Sequence, residues 1–211
     1  MTAEFLDDFI VYLEDQGLRH NTIVGYIQKI QTLVRRASQY NYAVDNTYDE
    51  VDLKCEPTNA VFLSMNEITR IYYYKFLKQD KRKAKERIRD LFVVGCLTAL
   101  RYSDYSTLTK DNFQGDYLVK RTKKTNVDVK VPLHAYVKEI YAKYGGFVPC
   151  GLCIQYVNKY LKVIMKEIGL NDLVTYSYTQ GGKLKTVTRE KWELISSHTA
   201  RRSAATNMYL T

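Results

Sequence analysis

The sequence predicts a mainly α chain with a small β-hairpin, an α+β fold in which a short helical domain precedes a larger mixed one. Three observations carry this. Apolar residues recur at three- and four-residue spacing through residues 3–16 and 22–42. The period then changes at Val127, Val129 and Val131, which alternate with Asp128 and Lys130 as a half-buried strand does. An acidic, irregular stretch at residues 45–57 reads as a linker, so the chain divides into residues 1–57 and 58–211.

In order along the chain, Phe5, Phe9, Ile10 and Leu13 form one helical face, and Gly17 ends that helix. The second helix carries the stripe Ile23, Ile27, Ile30, Val34 and Ala37. Two helices bury little surface by themselves, so they belong to a helical domain. The linker carboxylates Asp49, Glu50 and Asp52 read as a solvated strap with nothing converging on them to hold a metal. Ser64 and Glu67 have capping-box spacing, with a helix expected to run on to Leu77.

Residues 78–90 hold seven basic and three acidic residues. This stretch is either a solvated helix start or a phosphate-contacting surface, the latter with Lys81, Arg82 and Lys83. Residues 91–100 follow as a buried helix. Residues 117–122 pair with the Val127–Val131 strand, with Asn126 in the turn, and Lys120, Arg121 and Lys123 make this hairpin basic. Helices resume at residues 135–144 and on the face Val157, Leu161, Ile164 and Ile168. Residues 174–187 are a second hairpin or a loop, and the segment from Ser197 is helical to its end.

Lys and Arg number 32 against 23 Asp and Glu, a net charge of +9 that favours a polyanionic partner, most commonly nucleic acid. The ten-residue apolar run is too short to span a bilayer, so no membrane partner is expected. Glu4, Asp7 and Asp8 are unlike the start of a signal peptide. Four scattered cysteines do not make a disulfide scaffold, and a reducing cytosol is the simplest compartment.

Four features could do chemistry. Arg101 follows ten apolar residues, where a charge needs an anionic partner; a structural pair with Asp104 would satisfy it equally. Lys123 and Lys124 lie near a hairpin tip, within reach of a DNA groove or simply exposed. His198 and Arg201 sit three apart on one helical face. Each has an ordinary structural reading when taken singly.

Together they resemble one family. The string Leu97-Thr-Ala-Leu-Arg-Tyr-Ser-Asp104 resembles the first conserved box of the tyrosine recombinases, and Ser197-His-Thr-Ala-Arg-Arg-Ser-Ala-Ala-Thr-Asn207 resembles the second. The Lys-Thr turn before Val-Pro-Leu133 is similar to the family's lysine hairpin. The early segment with Asn21-Thr22-Ile23 resembles the latter half of the core-binding helical domain. The overall likeness is to integrases of mobile elements from gut bacteria.

The resemblance implies a chain that cleaves and rejoins DNA through a 3′-phosphotyrosyl intermediate and works as a tetramer on double-stranded DNA. Arg101 and Arg201 would clamp the phosphate, His198 would donate a hydrogen bond or accept a proton, and Lys124 would protonate the leaving 5′-oxygen, with Lys123 second choice. Asp104 would orient Arg101. No metal or other cofactor is implied, because the arginines and an acid take that part. The family's Gly-His motif and nucleophilic tyrosine lie further beyond the second box than this sequence runs, so the expectation is a fragment without its nucleophile, with Tyr209 packed in the core. Cys150-Gly-Leu-Cys153 offers a rival reading, a redox pair or half a zinc site, but no second ligand pair accompanies it. A purely architectural DNA-binding protein is a further rival, and a type IB topoisomerase would share the chemistry but not the helices before Pro57.

Overall fold

Thr2 begins the first helix, its hydroxyl accepting the Phe5 N–H and so satisfying one of the helix's unpaired donors. The computed structural model describes residues 2–58, 60–77 and 81–210. Helix α1 (Ala3–Asp15) ends before Gly17, whose φ of +71° suits glycine. Helix α2 (His20–Gln39) turns its stripe inward: Ile23, Ile27 and Val34 bury against Leu6 and Leu13.

The linker carboxylates Asp49, Glu50 and Asp52 are exposed, as their charge suggests, but the stretch that carries them is not loose. It forms a 3₁₀ turn, Asn46–Glu50, whose Tyr48 is buried in the α1–α2 core. Two side chains of α2 hold the segment down. Gln31 donates to the carbonyls of Tyr48 and Val51 at 3.0 and 2.8 Å, and Asn21 takes both backbone groups of Glu56 at 3.0 and 2.8 Å. Uncharged amide side chains satisfy the strap's backbone, a signal that charge patterning does not carry.

Packing divides the chain into Met1–Asn59 with Thr175–Thr188, and Ala60–Val174 with Arg189–Thr211. The open segment 174–187 is a hairpin of β4 (Leu173–Gln180) and β5 (Lys183–Glu190), and its outer part belongs to the first unit. A two-stranded ribbon is marginal by itself. Here Gly181 N–H donates to Leu18 O, Gln180 Nε2 to Gly17 O, and Thr179 N–H to Glu56 Oε2, all within 2.9–3.0 Å. The Arg19 guanidinium stacks 4.2 Å over the Tyr178 ring.

The second unit is built round one apolar helix. Helix α3 (Met65–Tyr73) starts with the capping box read from Ser64 and Glu67, and stops before Leu77 because Tyr74 turns extended. Helix α4 (Arg82–Thr98) is buried from Ile88 to its end. It packs against α3, α6 (Ala135–Lys143), α7 (Ile154–Ile168) and α9 (Ser197–Leu210). A helix apolar on all sides needs such neighbours, each buried Leu, Ile or Phe contributing about 1.5–3 kcal/mol.

The last two residues of the charge-dense stretch are core, not surface. Asp90 is fully buried and accepts from Arg89 Nε and Nη2 (2.8 and 2.7 Å), Lys143 Nζ (2.7 Å) and Tyr144 Oη (2.9 Å). Arg89 Nη1 also donates to Tyr74 O at 2.6 Å. Burial and the Asp90 charge push the Tyr144 phenol well above its ordinary value. Lys78 lies outside the described residues.

An antiparallel sheet flanks the helices in the order β1 (Phe113–Gln114), β2 (Tyr117–Arg121), β3 (Asp128–Pro132). The alternation at residues 127–131 marks β3, with Val119 opposite Lys130. Strand β1, two residues long, is too short to show a period. The remaining helices are α5 (Tyr102–Tyr105) and α8 (Lys191–Leu194).

Candidate functional site

The candidate side chains arise at three places in the second unit. After Thr98 the chain takes a left-handed step at Ala99 (φ +55°), Leu100 stays buried, and Arg101 becomes the N-cap of α5. His198 and Arg201 lie on the exposed face of α9. Lys123 and Lys124 occupy the β2–β3 turn, which Asn126 closes with φ +55°. That turn is internally bonded: Asn126 N–H donates to Thr122 O, Thr122 N–H to Val127 O, and Arg121 Nε to Asn126 Oδ1.

Helix α5 relates the three. At Gly95 of α4, an added Cβ would lie 2.7 Å from the Tyr105 ring and 3.1 Å from Ala200 Cβ, so α5 and the first turn of α9 meet the same point of α4. Glycine permits that approach. Asp104, fully buried on α5, accepts the Lys123 backbone N–H at 2.9 Å. Its other oxygen is buried with no hydrogen-bond partner among the described residues. Asp104 thus holds the lysine turn, and among the described residues its carboxylate makes no bond to the Arg101 guanidinium, the contact that the resemblance implies.

The cations themselves are unspent. The side chains of Arg101, Lys123, Lys124, His198 and Arg201 form no hydrogen bond or ion pair among the described residues. Guanidinium and ammonium groups left without an internal anion suit an external polyanion such as a phosphodiester. Of the further basic residues, Lys81 and Lys83 are exposed, while Arg82 pairs with Glu86 at 2.9 Å and Lys120 donates to Thr107 O at 3.0 Å. Cys150 and Cys153 are exposed free thiols, and no group of three or more metal-ligating side chains occurs among the described residues.

Comparison with known proteins places this architecture. Residues 1–55 match the family of phage integrase SAM-like domains. The whole chain superposes on a lambda integrase tetramer bound to a Holliday junction with a TM-score of 0.66 at 15% identity, covering 98% of this chain and 59% of that one. The chain has the integrase fold. Lambda integrase residues 75–356 bound to DNA give a TM-score of 0.66 at 15% identity, covering 97% and 70% of the two chains. The XerH site-specific recombinase bound to difH gives 0.62 at 18% identity, covering 100% of this chain and 60% of that one. No curated protein sequence matches this chain.

Within the integrase fold the structure adds residues that the sequence reading passed over. Asn158 of α7 accepts the Ser197 N–H at 2.8 Å, fixing the start of α9 beside His198. Tyr102 Oη donates to Leu152 O at 2.6 Å, fixing the residue after Arg101. Asn158 is a singly placed polar residue with no pattern to mark it, and Tyr102, although inside the first box, has a partner fifty residues away that no local pattern shows. Arg202, adjacent to Arg201, donates to Thr199 Oγ1 at 3.2 Å, while its Nε is buried without a partner among the described residues. Burial lowers its pKa from the ordinary value.

The placement of Tyr209 corrects the expectation of core packing. Ala200, Ser203 and Ala204 form the buried stripe of α9, and Asn207, next on that face, donates to Leu63 O. The opposite face carries His198, Arg201 and Ala205, and Tyr209 shares it at 89% exposure. The small residues of a close helix contact set the phase, and the larger Tyr209 falls outside it.

Proposed function

We propose that this chain supplies the phosphate-gripping part of a site-specific tyrosine recombinase acting on double-stranded DNA. The observation that carries the reading is the set of unpaired cations at the start of α5, in the β2–β3 turn and on α9: α5 and α9 meet at Gly95 of α4, and Asp104 of α5 holds the turn. Arg101 and Arg201 bind the non-bridging oxygens of the scissile phosphate and stabilise the extra negative charge of the transition state. His198 donates a hydrogen bond to that phosphate or accepts a proton beside it. Lys124, at the exposed tip, protonates the leaving 5′-oxygen, with Lys123 the alternative. Lys81, Arg82, Lys83, Lys120 and Arg121 add contacts to flanking phosphates. Copies of the chain associate on the DNA as a tetramer, in keeping with the family resemblance.

Tyr209 is not the nucleophile in this reading. Tyr209 lies eight residues past Arg201, about 12 Å further along the same helix axis, out of line with a phosphate held at the helix start. These residues therefore bind and polarise a phosphodiester without forming a covalent link to it. A nicked suicide duplex incubated with the chain in EDTA tests this. The expected result is no covalent protein–DNA band on a denaturing gel. A band that disappears with Tyr209→Phe would overturn the assignment.

A further inference from the structure

The β2–β3 turn presents a contradiction that the proposed roles do not resolve. Its tip is solvent-exposed from Lys123 through Val127, yet a tip that delivers a proton to one oxygen must hold its backbone still. The backbone N–H groups of Lys124 and Thr125 have no acceptor among the described residues, whereas that of Lys123 donates to Asp104 Oδ1 at 2.9 Å across nineteen residues of sequence. Asp104 is fully buried, and its backbone N–H donates to Arg101 O at 2.8 Å. One short helical turn therefore carries the Arg101 side chain at its start and grips the lysine turn three residues later.

We infer that Asp104 is a positioning residue: its buried carboxylate registers the Lys123–Lys124 turn against Arg101, setting where the acid sits relative to the phosphate clamp. This rests on the recombinase reading for its purpose but not for its geometry. An anionic acceptor suits the task because a charge-assisted bond to an N–H is stronger and shorter-ranged in its tolerance than one between neutral groups. It is also the only side-chain bond that reaches the Lys123–Thr125 tip from outside the hairpin among the described residues; Lys120, lower on β2, makes the neighbouring tie to Thr107 O. The two ties join the same short stretch, Asp104 to Thr107, to successive points of the hairpin.

The experiment is residue-resolved amide hydrogen exchange on the intact chain. In the wild type the Lys123 amide is expected to exchange at least tenfold more slowly, relative to its intrinsic rate, than those of Lys124 and Thr125. Asp104→Ala removes the acceptor and should erase that difference while leaving the α4 amides of Val93 and Val94 unchanged. Asp104→Asn keeps a neutral acceptor and should restore at least part of the protection, a rescue that a general packing role would not give. A Lys123 amide as labile as its neighbours in the wild type overturns the inference whether or not the variants fold. So does retained Lys123 protection in a folded Asp104→Ala. Duplex binding, measured separately, reports on the recombinase reading, so either idea can fail without the other.

Discussion

Arg101 and Arg201 are solvent-accessible, and their side chains bond to nothing among the described residues. Their removal should therefore leave stability nearly unchanged, within about 0.5 kcal/mol in urea unfolding, as for surface sites without special contacts. Asp90 is the contrasting case. It accepts four hydrogen bonds from Arg89, Lys143 and Tyr144 in full burial, so Asp90→Ala strands Arg89 in the core and should cost about 3–5 kcal/mol in the same assay. Gly95→Ala should cost about 1–3 kcal/mol by overpacking, because its new methyl would press the Tyr105 ring and Ala200 together. Stability unchanged in Gly95→Ala would mean that α5 and α9 do not converge there. Composition could not distinguish these charges: Arg89, Arg101 and Arg201 read alike until their neighbours are known.

Among the elements, the start of α3 is sensitive to acid. Burial pushes the Glu67 carboxyl up, but the Lys191 ammonium and the Ser64 N–H and hydroxyl outweigh it, leaving its pKa below the ordinary value. A depressed pKa contributes stability above the unfolded value, near 4.3, that is lost as pH falls through the folded one. Unfolding compared at pH 6 and at about pH 3 should show a larger loss of stability in the wild type than in Glu67→Gln, and equal losses would contradict this assignment. The capping box was legible because its two residues are close in sequence. So were the α7 stripe and β3, whose periods run unbroken. The β4–β5 hairpin was only half legible, since its stabilising partners, Leu18, Gly17, Glu56 and Arg19, lie more than a hundred residues away. The exposure of Tyr209 was not legible because Ala204 and Ala205 are chemically alike, and only packing decides which of them is buried and so which face of α9 turns outward.

For the whole molecule, the net charge of +9 and the unspent cations of the second unit predict duplex binding dominated by phosphate contacts. The order of the candidate residues in the sequence was enough to suggest the site, whereas the link from Asp104 to the lysine turn required the fold. The most direct test is a set of fluorescence-anisotropy titrations of a short duplex against the wild type, Arg101→Ala, Arg201→Ala and the double variant, across a range of salt. The account predicts affinity falling steeply with salt in the wild type and a slope shallower by about one in each single variant. If both guanidinium groups serve one phosphate, the loss in the double variant should fall short of the sum of the single losses by at least about 0.5 kcal/mol. Binding that ignores salt, or two losses that simply add, would contradict a shared phosphate clamp.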